Sequence, residues 1–264
     1  MKRILFSVFF LLSACLWIGC KAPPLRINES FRTNPAAYRE IAAVPSRLSI
    51  KGNSDKTQNA LDMDRQGHLV KTNLAAAVEK VFSERGYSFR ASPQPLCLNE
   101  DWAQFDINTA TTLQAVQDEF WLLSFKILQD RQRKQPVPFH YQMGECLTEL
   151  KIALGLQDAP AILLMDSSVF LESRMARNKR RGKMALGILI GVATGIATGV
   201  AVTPLYESPG QVQNIVALVD GQTNEILWWN SVRSIHINAR SGPVLEESIR
   251  YCIDTLPVVN PASR

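Results

Sequence analysis

The residues that could do chemistry are scattered along this 264-residue chain. His68, His140 and His236 have neither the H-x-x-x-H spacing nor a nearby cysteine that would suit a metal ion. The sequence contains no G-x-S-x-G nucleophile motif, no phosphate-binding loop and no dinucleotide fingerprint. The polar cluster Asp166-Ser167-Ser168 follows an apolar strand pattern, which is typical of solvated or capping residues. We therefore expect a non-enzymatic protein without a metal, cofactor or small-molecule substrate.

The most unusual stretch is the uncharged run from Met184 to Val202, MALGILIGVATGIATGVAV. As an α-helix it would be about 28 Å long at ~1.5 Å per residue, close to the hydrocarbon thickness of a bilayer. Small residues at four-residue spacing let another backbone approach closely. We therefore predict a glycine zipper that contacts a membrane or another copy of the chain. The glycines at this spacing are Gly187, Gly191, Gly195 and Gly199.

The same run also has a period of two. Its even positions from Ile188 to Val202 are all Ile, Val or Thr, and its odd positions are Gly or Ala apart from Leu189. This alternation favours a β-hairpin or an extended form. A third interpretation is a buried Gly/Ala-rich element that never touches lipid. The sequence leaves all three open.

A basic run lies just before the glycines. Its cations are Arg174, Arg177, Lys179, Arg180, Arg181 and Lys183. Cations beside an apolar segment attract anionic lipid headgroups, at about 1 kcal/mol per residue near the surface. The alternative is a solvated loop. The net charge of +5 is modest, and no aromatic residues interleave with the run, so we expect no nucleic-acid partner.

The first residues have the pattern of a secretory signal peptide, with two cations before an apolar run from Ile4 to Leu12. The tetrad Leu12-Ser13-Ala14-Cys15 resembles the lipobox of bacterial lipoproteins. This resemblance implies that residues 1–14 are removed and that Cys15 is acylated. Several acyl chains anchor a protein stably, whereas a single chain binds a membrane only reversibly.

Cys20 is the alternative lipidation site, within Ile18-Gly19-Cys20, and a plain signal anchor is another possibility. By resemblance to lipoprotein sorting rules, the absence of Asp after either cysteine implies the outer membrane, with the domain facing the periplasm. Residues 15–39 contain three prolines and no periodicity, which indicates a lipidated tether.

After lipidation of Cys15, four cysteines remain, and four cysteines allow three complete pairings. In an oxidising periplasm, Cys97 and Cys146 are a reasonable disulfide pair because both flank the middle helices. We expect Cys252 to pack on the core face of the last helix.

Residues 40–256 show the alternating patterns of a single α+β domain, into which the segment 174–203 is inserted before the final hairpin. The order β-α-β-α-α-β-β-β-α predicts a mixed sheet flanked by helices. We expect Pro45 to interrupt or bend the first strand. The predicted strands are 40–50, 87–90, 161–170, 212–219 and 225–237, and the predicted helices are 69–85, 112–131, 141–154 and one beginning near 241.

This order, the lipobox and the hairpin ALVDGQTNEILW (217–228) resemble envelope lipoproteins whose periplasmic domain has an anticodon-binding-like fold. These include the curli-secretion channel lipoprotein, the lipoprotein activators of peptidoglycan synthases, and a lipoprotein family with a small βαβ domain. There a strand ends in V-D-x-x-T-G-x-I-L-W. Here Asn224 replaces the glycine, and asparagine still tolerates a left-handed turn.

The resemblance implies an outer-membrane lipoprotein that works in envelope biogenesis or secretion. The glycine segment would supply its contact with other copies, with an envelope protein complex or with the membrane. The rival interpretation is a periplasmic regulator that binds a peptidoglycan-synthesis enzyme.

Overall fold

The computed structural model describes residues 27–52, 57–90, 96–98, 104–132, 138–171, 210–235 and 238–259. For residues 57–64, 96–98, 132 and 235 it describes the backbone alone. The α-helices in these ranges are α1 (Glu29–Thr33), α2 (Thr57–Glu84), α3 (Ile107–Gln132), α4 (Glu145–Ala153) and α5 (Gly242–Cys252), and a short 3-10 helix covers Pro35–Tyr38. The strands are β1 (Glu40–Ala43), β2 (Ser46–Gly52), β3 (Ser88–Phe89), β4 (Leu96–Leu98), β5 (Ala161–Leu171), β6 (Gly210–Asp220) and β7 (Ile226–Ile235).

The seven strands form one mixed sheet with β5 at its centre. β6 pairs antiparallel with β5 along its whole length, from Ala161↔Asp220 to Leu171↔Gly210, and β6 and β7 form a hairpin. On the other edge of β5, β1 and β2 lie end to end and run parallel to it. The predicted class, a mixed sheet flanked by helices, is confirmed.

Pro45 divides the first predicted strand, 40–50, into β1 and β2. Proline has no N–H to donate to a ladder, so it is tolerated where pairing is interrupted. Pairing with β5 resumes at Arg47↔Asp166. The expected interruption at Pro45 is therefore confirmed.

The region 91–110, expected to be irregular, contains the short strand β4 and the first turn of α3. β4 is too short to show a period, and it forms by pairing parallel with β2. Asp106 fixes the start of α3, because its Oδ1 accepts from the backbone N–H groups of Asn108 and Thr109, both at 3.0 Å. This capping extends the helix upstream of the predicted start at 112.

The helix predicted over 141–154 begins only at Glu145. Residues 141–144 instead lie beside the β6–β7 turn, where the Ile226 N–H donates to the Tyr141 carbonyl at 2.7 Å. A carbonyl engaged in this way does not begin a helix, so the prediction was wrong for these residues.

Each face of the sheet carries its own hydrophobic core. α2 and α5 cover one face, and α3 and α4 cover the other. The adjacent residues Trp228 and Trp229 are 0% and 1% exposed and belong to opposite cores, which confirms the alternate burial expected of a strand. Cys252 is also fully buried on the core face of α5, as predicted.

Residues 27–39 are part of the domain, so the tether interpretation of 15–39 needs correction over this range. Phe31 of α1 is 0% exposed and packs in the core beneath α2 and α5. The Asn28 N–H donates to the Leu227 carbonyl at 2.9 Å, on the outer edge of β7. No periodic pattern marks α1 in the sequence, because this helix has only five residues and a single buried aromatic side chain.

Candidate functional site

The segment between β5 and β6 leaves and re-enters the sheet at one point. Leu171 and Gly210 are register partners, so residues 172–209 begin and end at neighbouring positions. We call this the exit end of the sheet. The opposite end, where the 220–225 turn joins β6 to β7, is the turn end. The two ends are about 33 Å apart, because β5 has 11 residues and rises ~3.3 Å per residue.

The predicted lipidation and contact residues lie outside the described residues, and their roles stay predictions. They are Cys15, Cys20, the glycines 187, 191, 195 and 199, and the basic run 174–183. Among the helices that the structure describes, none is both long enough and apolar enough to cross a membrane.

A cleft of about 440 Å³ opens near the exit end, on the face of the sheet that α3 covers. On the opposite face the strands remain apolar to the exit end, and Val169, Leu171 and Val212 are buried there. On the cleft face the strands become polar, and the side chains of α3 and α4 pack mainly nearer the turn end. The cleft is lined by Arg47, Ser49, Lys51, Trp121, Asp166, Ser168, Gln213 and Ile215.

An ion-paired cluster forms one part of the cleft lining. The Arg47 Nε donates to Asp166 Oδ2 at 3.0 Å, and its Nη1 donates to Asp118 Oδ1 at 3.3 Å. Burial raises the pKa of Asp166, while Arg47 acts in the opposite direction. We expected Asp166 to be a solvated or capping residue at a strand end. It is instead a buried, paired residue in mid-strand, because β5 continues to Leu171.

The rest of the lining offers hydroxyl, amide and aromatic groups. The side chains of Ser49, Ser168 and Gln213 have no hydrogen-bond partner within the described part of the chain. Trp121 is 48% exposed and stacks on Phe125, with ring centroids 6.1 Å apart and an interplanar angle of 7°. This arrangement suits the binding of a polar ligand with an apolar face.

The turn end holds a second polar cluster, which ties the hairpin to α4. Asn224 has φ 61°, so the left-handed conformation expected there is confirmed. Its Nδ2 donates to Thr148 Oγ1 at 2.8 Å, and its Oδ1 accepts from the buried Lys151 Nζ at 2.7 Å. Lys151 also donates to the Gly221 carbonyl at 2.7 Å. Every contact in this cluster is internal, so its role is to hold the turn.

Cys146 is a free thiol in the structure. Its Sγ lies 2.7 Å from Glu119 Oε2, and burial together with this carboxylate raises the pKa of Cys146 to about 12. The side chain of Cys97 is outside the described residues. The Cys97–Cys146 pairing therefore gains no support here and stays a prediction.

The histidines do not converge with other ligands in the parts of the chain that are described. His140 is exposed, and its Nδ1 lies 3.2 Å from Glu225 Oε1. No group of three His, Cys, Asp or Glu side chains among these residues could hold a metal ion.

Sequence reasoning did not find the cleft. Arg47 and Asp166 are far apart in the chain and meet only through the parallel register of β2 and β5. One signal was present in α3, where Trp121, Leu122 and Phe125 depart from the apolar face of the helix. These side chains are 48%, 63% and 51% exposed. Large apolar residues on the outer face of a helix indicate a contact surface.

These features define a mixed α+β domain with a polar cleft and a long insertion at one end of its sheet. No protein-family model matches the sequence, and no curated protein matches it. Among solved structures, the chain is similar to the PelC dodecamer from Paraburkholderia phytofirmans. The identity is 10%, the alignment covers 85% of this chain and 91% of that chain, and the TM-score is 0.29. A TM-score this low carries no functional argument.

Proposed function

We propose that this chain is a non-enzymatic outer-membrane lipoprotein of envelope biogenesis or secretion, in which a periplasmic domain holds a self-assembling glycine segment. The register pair Leu171↔Gly210 carries the proposal, because the segment leaves and returns at adjacent positions. The described residues on either side of the segment already form two hydrophobic cores. In this proposal the domain is a folded platform, and the segment makes a contact outside it. The resemblance to envelope lipoproteins noted above is part of the same proposal.

The chain lengths agree with a lipid anchor and a separate contact segment. The chain from Cys15 to Ile27 can span about 40 Å when extended at ~3.3–3.6 Å per residue. Ile27 pairs with Trp228 at the turn end, so the anchor reaches the domain there. From Leu171 to Met184 the chain can span about 43 Å, which exceeds the length of the sheet. The glycine segment can therefore return to the anchoring membrane or reach a neighbouring copy.

The residues proposed for these contacts are those identified in the sequence. The glycines at 187, 191, 195 and 199 allow close packing against another copy of the chain. The cations of the 174–183 run neutralise anionic headgroups when the segment lies near lipid.

The test enlarges the glycines in the full-length protein solubilised in detergent. Gly191→Leu and Gly195→Leu should lower the sedimentation mass, because leucine prevents close approach. Leucine is a better helix former than glycine by roughly 1 kcal/mol, so a loss of assembly would come from steric exclusion. Ile196→Leu is the matched control, since it exchanges one large residue for another. An unchanged mass in both glycine variants would overturn the assembly role.

A second candidate is a regulator that binds a peptidoglycan-synthesis enzyme. The exposed Trp121, Leu122 and Phe125 on α3 favour it, because a row of apolar side chains on a helix can contact another protein. This candidate predicts a monomer that co-purifies with a synthase. Self-assembly predicts a large homogeneous species without a second protein.

A further inference from the structure

We propose that the cleft beside the exit end binds a neutral pyranose oligosaccharide, with Trp121 as its stacking surface. No part of the assembly proposal is needed for this inference, because the cleft is formed by described residues of a single chain.

The size and position of the cleft suit a small ligand. Its volume of about 440 Å³ lies within the roughly 300–1,000 Å³ that is usual for ligand sites. Three strands of the sheet and α3 contribute to it, so its residues are held by the rigid part of the domain. A site on such elements is pre-formed, and little ordering is required when the ligand binds.

The chemistry of the lining matches a sugar ring. A pyranose has an apolar face of C–H groups and a rim of hydroxyl groups that both donate and accept hydrogen bonds. Trp121 offers a flat apolar surface, and Phe125 behind it holds the indole in place. Ser168 and Gln213 supply hydroxyl and amide groups that also donate and accept. These groups have no hydrogen-bond partner among the described residues. A sugar hydroxyl can therefore bond to them without breaking a hydrogen bond between those residues.

The charges of the cleft favour a neutral ligand over an anion. Arg47 is paired with Asp166 and Asp118, so its charge is already balanced by two carboxylates. Lys51 is exposed to solvent, where an ammonium group attracts an anion only weakly. The paired guanidinium and carboxylate can still bond to hydroxyl groups, since each retains unused donor or acceptor capacity.

The same ion pair indicates binding without hydrolysis. A glycosidase needs two carboxyl groups on either side of the scissile bond, one of them protonated. Here both nearby carboxylates contact Arg47, which leaves neither positioned as an independent acid.

The inference is tested by calorimetric titration of the full-length protein in a zwitterionic detergent, because glucoside detergents would compete as sugars. The probes are chitohexaose and maltohexaose. We expect at least one to bind at millimolar concentration or below. Binding of chitohexaose alone would indicate a glycan of acetamido sugars, such as cell-wall glycan, and binding of maltohexaose would indicate a plain glucan. If neither probe binds, the proposal is wrong.

Two variants of α3 locate the site. Trp121→Ala should weaken binding about tenfold, and Trp121→Tyr should restore most of it because tyrosine keeps a flat ring. Leu122→Ala is the matched control, since Leu122 is also exposed on α3 but does not line the cleft. If Trp121→Ala binds the oligosaccharide with the affinity of the parent protein, the cleft is not the binding site. An equal loss in Leu122→Ala would show that this helix face is a protein contact surface and overturn the proposal.

Discussion

Lys151 shows how a single residue fixes the turn end of this domain. Its side chain is 4% exposed, and its ammonium group donates to the Gly221 carbonyl and to Asn224 Oδ1. Burial lowers the pKa of Lys151, and the nearby Asp220 carboxylate acts in the opposite direction. A buried cation is tolerated here because polar oxygen atoms replace its hydration.

Lys151→Met should therefore destabilise the domain by about 2 kcal/mol, because two buried oxygen atoms lose their donor and each unpaired group costs roughly 1–3 kcal/mol. Lys126→Met is the matched control, since Lys126 is exposed on a helix and should change stability by less than about 0.5 kcal/mol. Urea denaturation followed by circular dichroism gives both values. Equal stability in the two variants would show that the Lys151 contacts contribute nothing.

The thiol of Cys146, in the unpaired form that the structure shows, offers a pH-dependent prediction. Burial and the Glu119 carboxylate both disfavour the thiolate and raise the pKa of Cys146 to about 12. Because only the thiolate reacts, alkylation of the folded protein should be slow at pH 8. Its rate should keep rising through pH 10, where an ordinary thiol with a pKa near 9.0 has already levelled off. Iodoacetamide labelling followed by peptide mass spectrometry measures this rate.

Glu119→Gln tests the cause, because it removes the negative charge next to the sulfur. In this variant the pKa of Cys146 should fall and alkylation at pH 8 should accelerate. Protein unfolded in urea gives the reference rate. A rate that has levelled off by pH 10 in the folded parent would contradict the prediction.

At the scale of elements, α1 distinguishes two interpretations of residues 27–39, which are either packed on the domain or form a loose tether. Phe31→Ala should destabilise the domain by about 3 kcal/mol, which is typical of removing a buried phenylalanine. Arg32→Ala, at the exposed neighbouring position, should have little effect. Thermal unfolding of both variants and the parent measures these changes in stability. If residues 27–39 were a tether, both variants would match the parent.

Elements long enough to repeat their apolar pattern several times were predictable from the sequence. Short elements that depend on contacts with distant residues were not. β5 and the β6–β7 hairpin carry enough repeating apolar positions to show their type and approximate place. The apolar repeat of α2 predicted a helix only from 69, whereas the helix begins at Thr57, because its first turns are mostly polar. β4 and α1 have no such repeat and exist because β2 and the core accept them. The cleft was missed for a related reason. Its members come from four elements, and only the strand register brings Arg47 to Asp166.

At the scale of the molecule, the segment and the domain should be separable. Replacing residues 175–208 with a short polar linker should leave a folded domain, because Leu171 and Gly210 are already neighbours and a shorter loop closes at little entropic cost. Near-ultraviolet circular dichroism reports on Trp228 and Trp229, which are buried in the two cores. Loss of that signal would show that the segment is part of the core. The parent chain in detergent is the control.

The pairing of Leu171 with Gly210 also sets the order in which the sheet can form. The β6–β7 hairpin closes over a five-residue turn, which is the shortest connection between two paired strands of the described sheet, so it is expected to form early. β5 joins it most easily at the Leu171↔Gly210 pair, because every other pair between these strands closes a longer loop. The length of the insertion therefore affects the folding rate directly. Doubling this length would add about 0.6 kcal/mol to the free energy of loop closure and slow the joining of β5 to the hairpin roughly threefold. During that delay the apolar strand β5 stays exposed, so a short insertion limits the time during which this strand can aggregate.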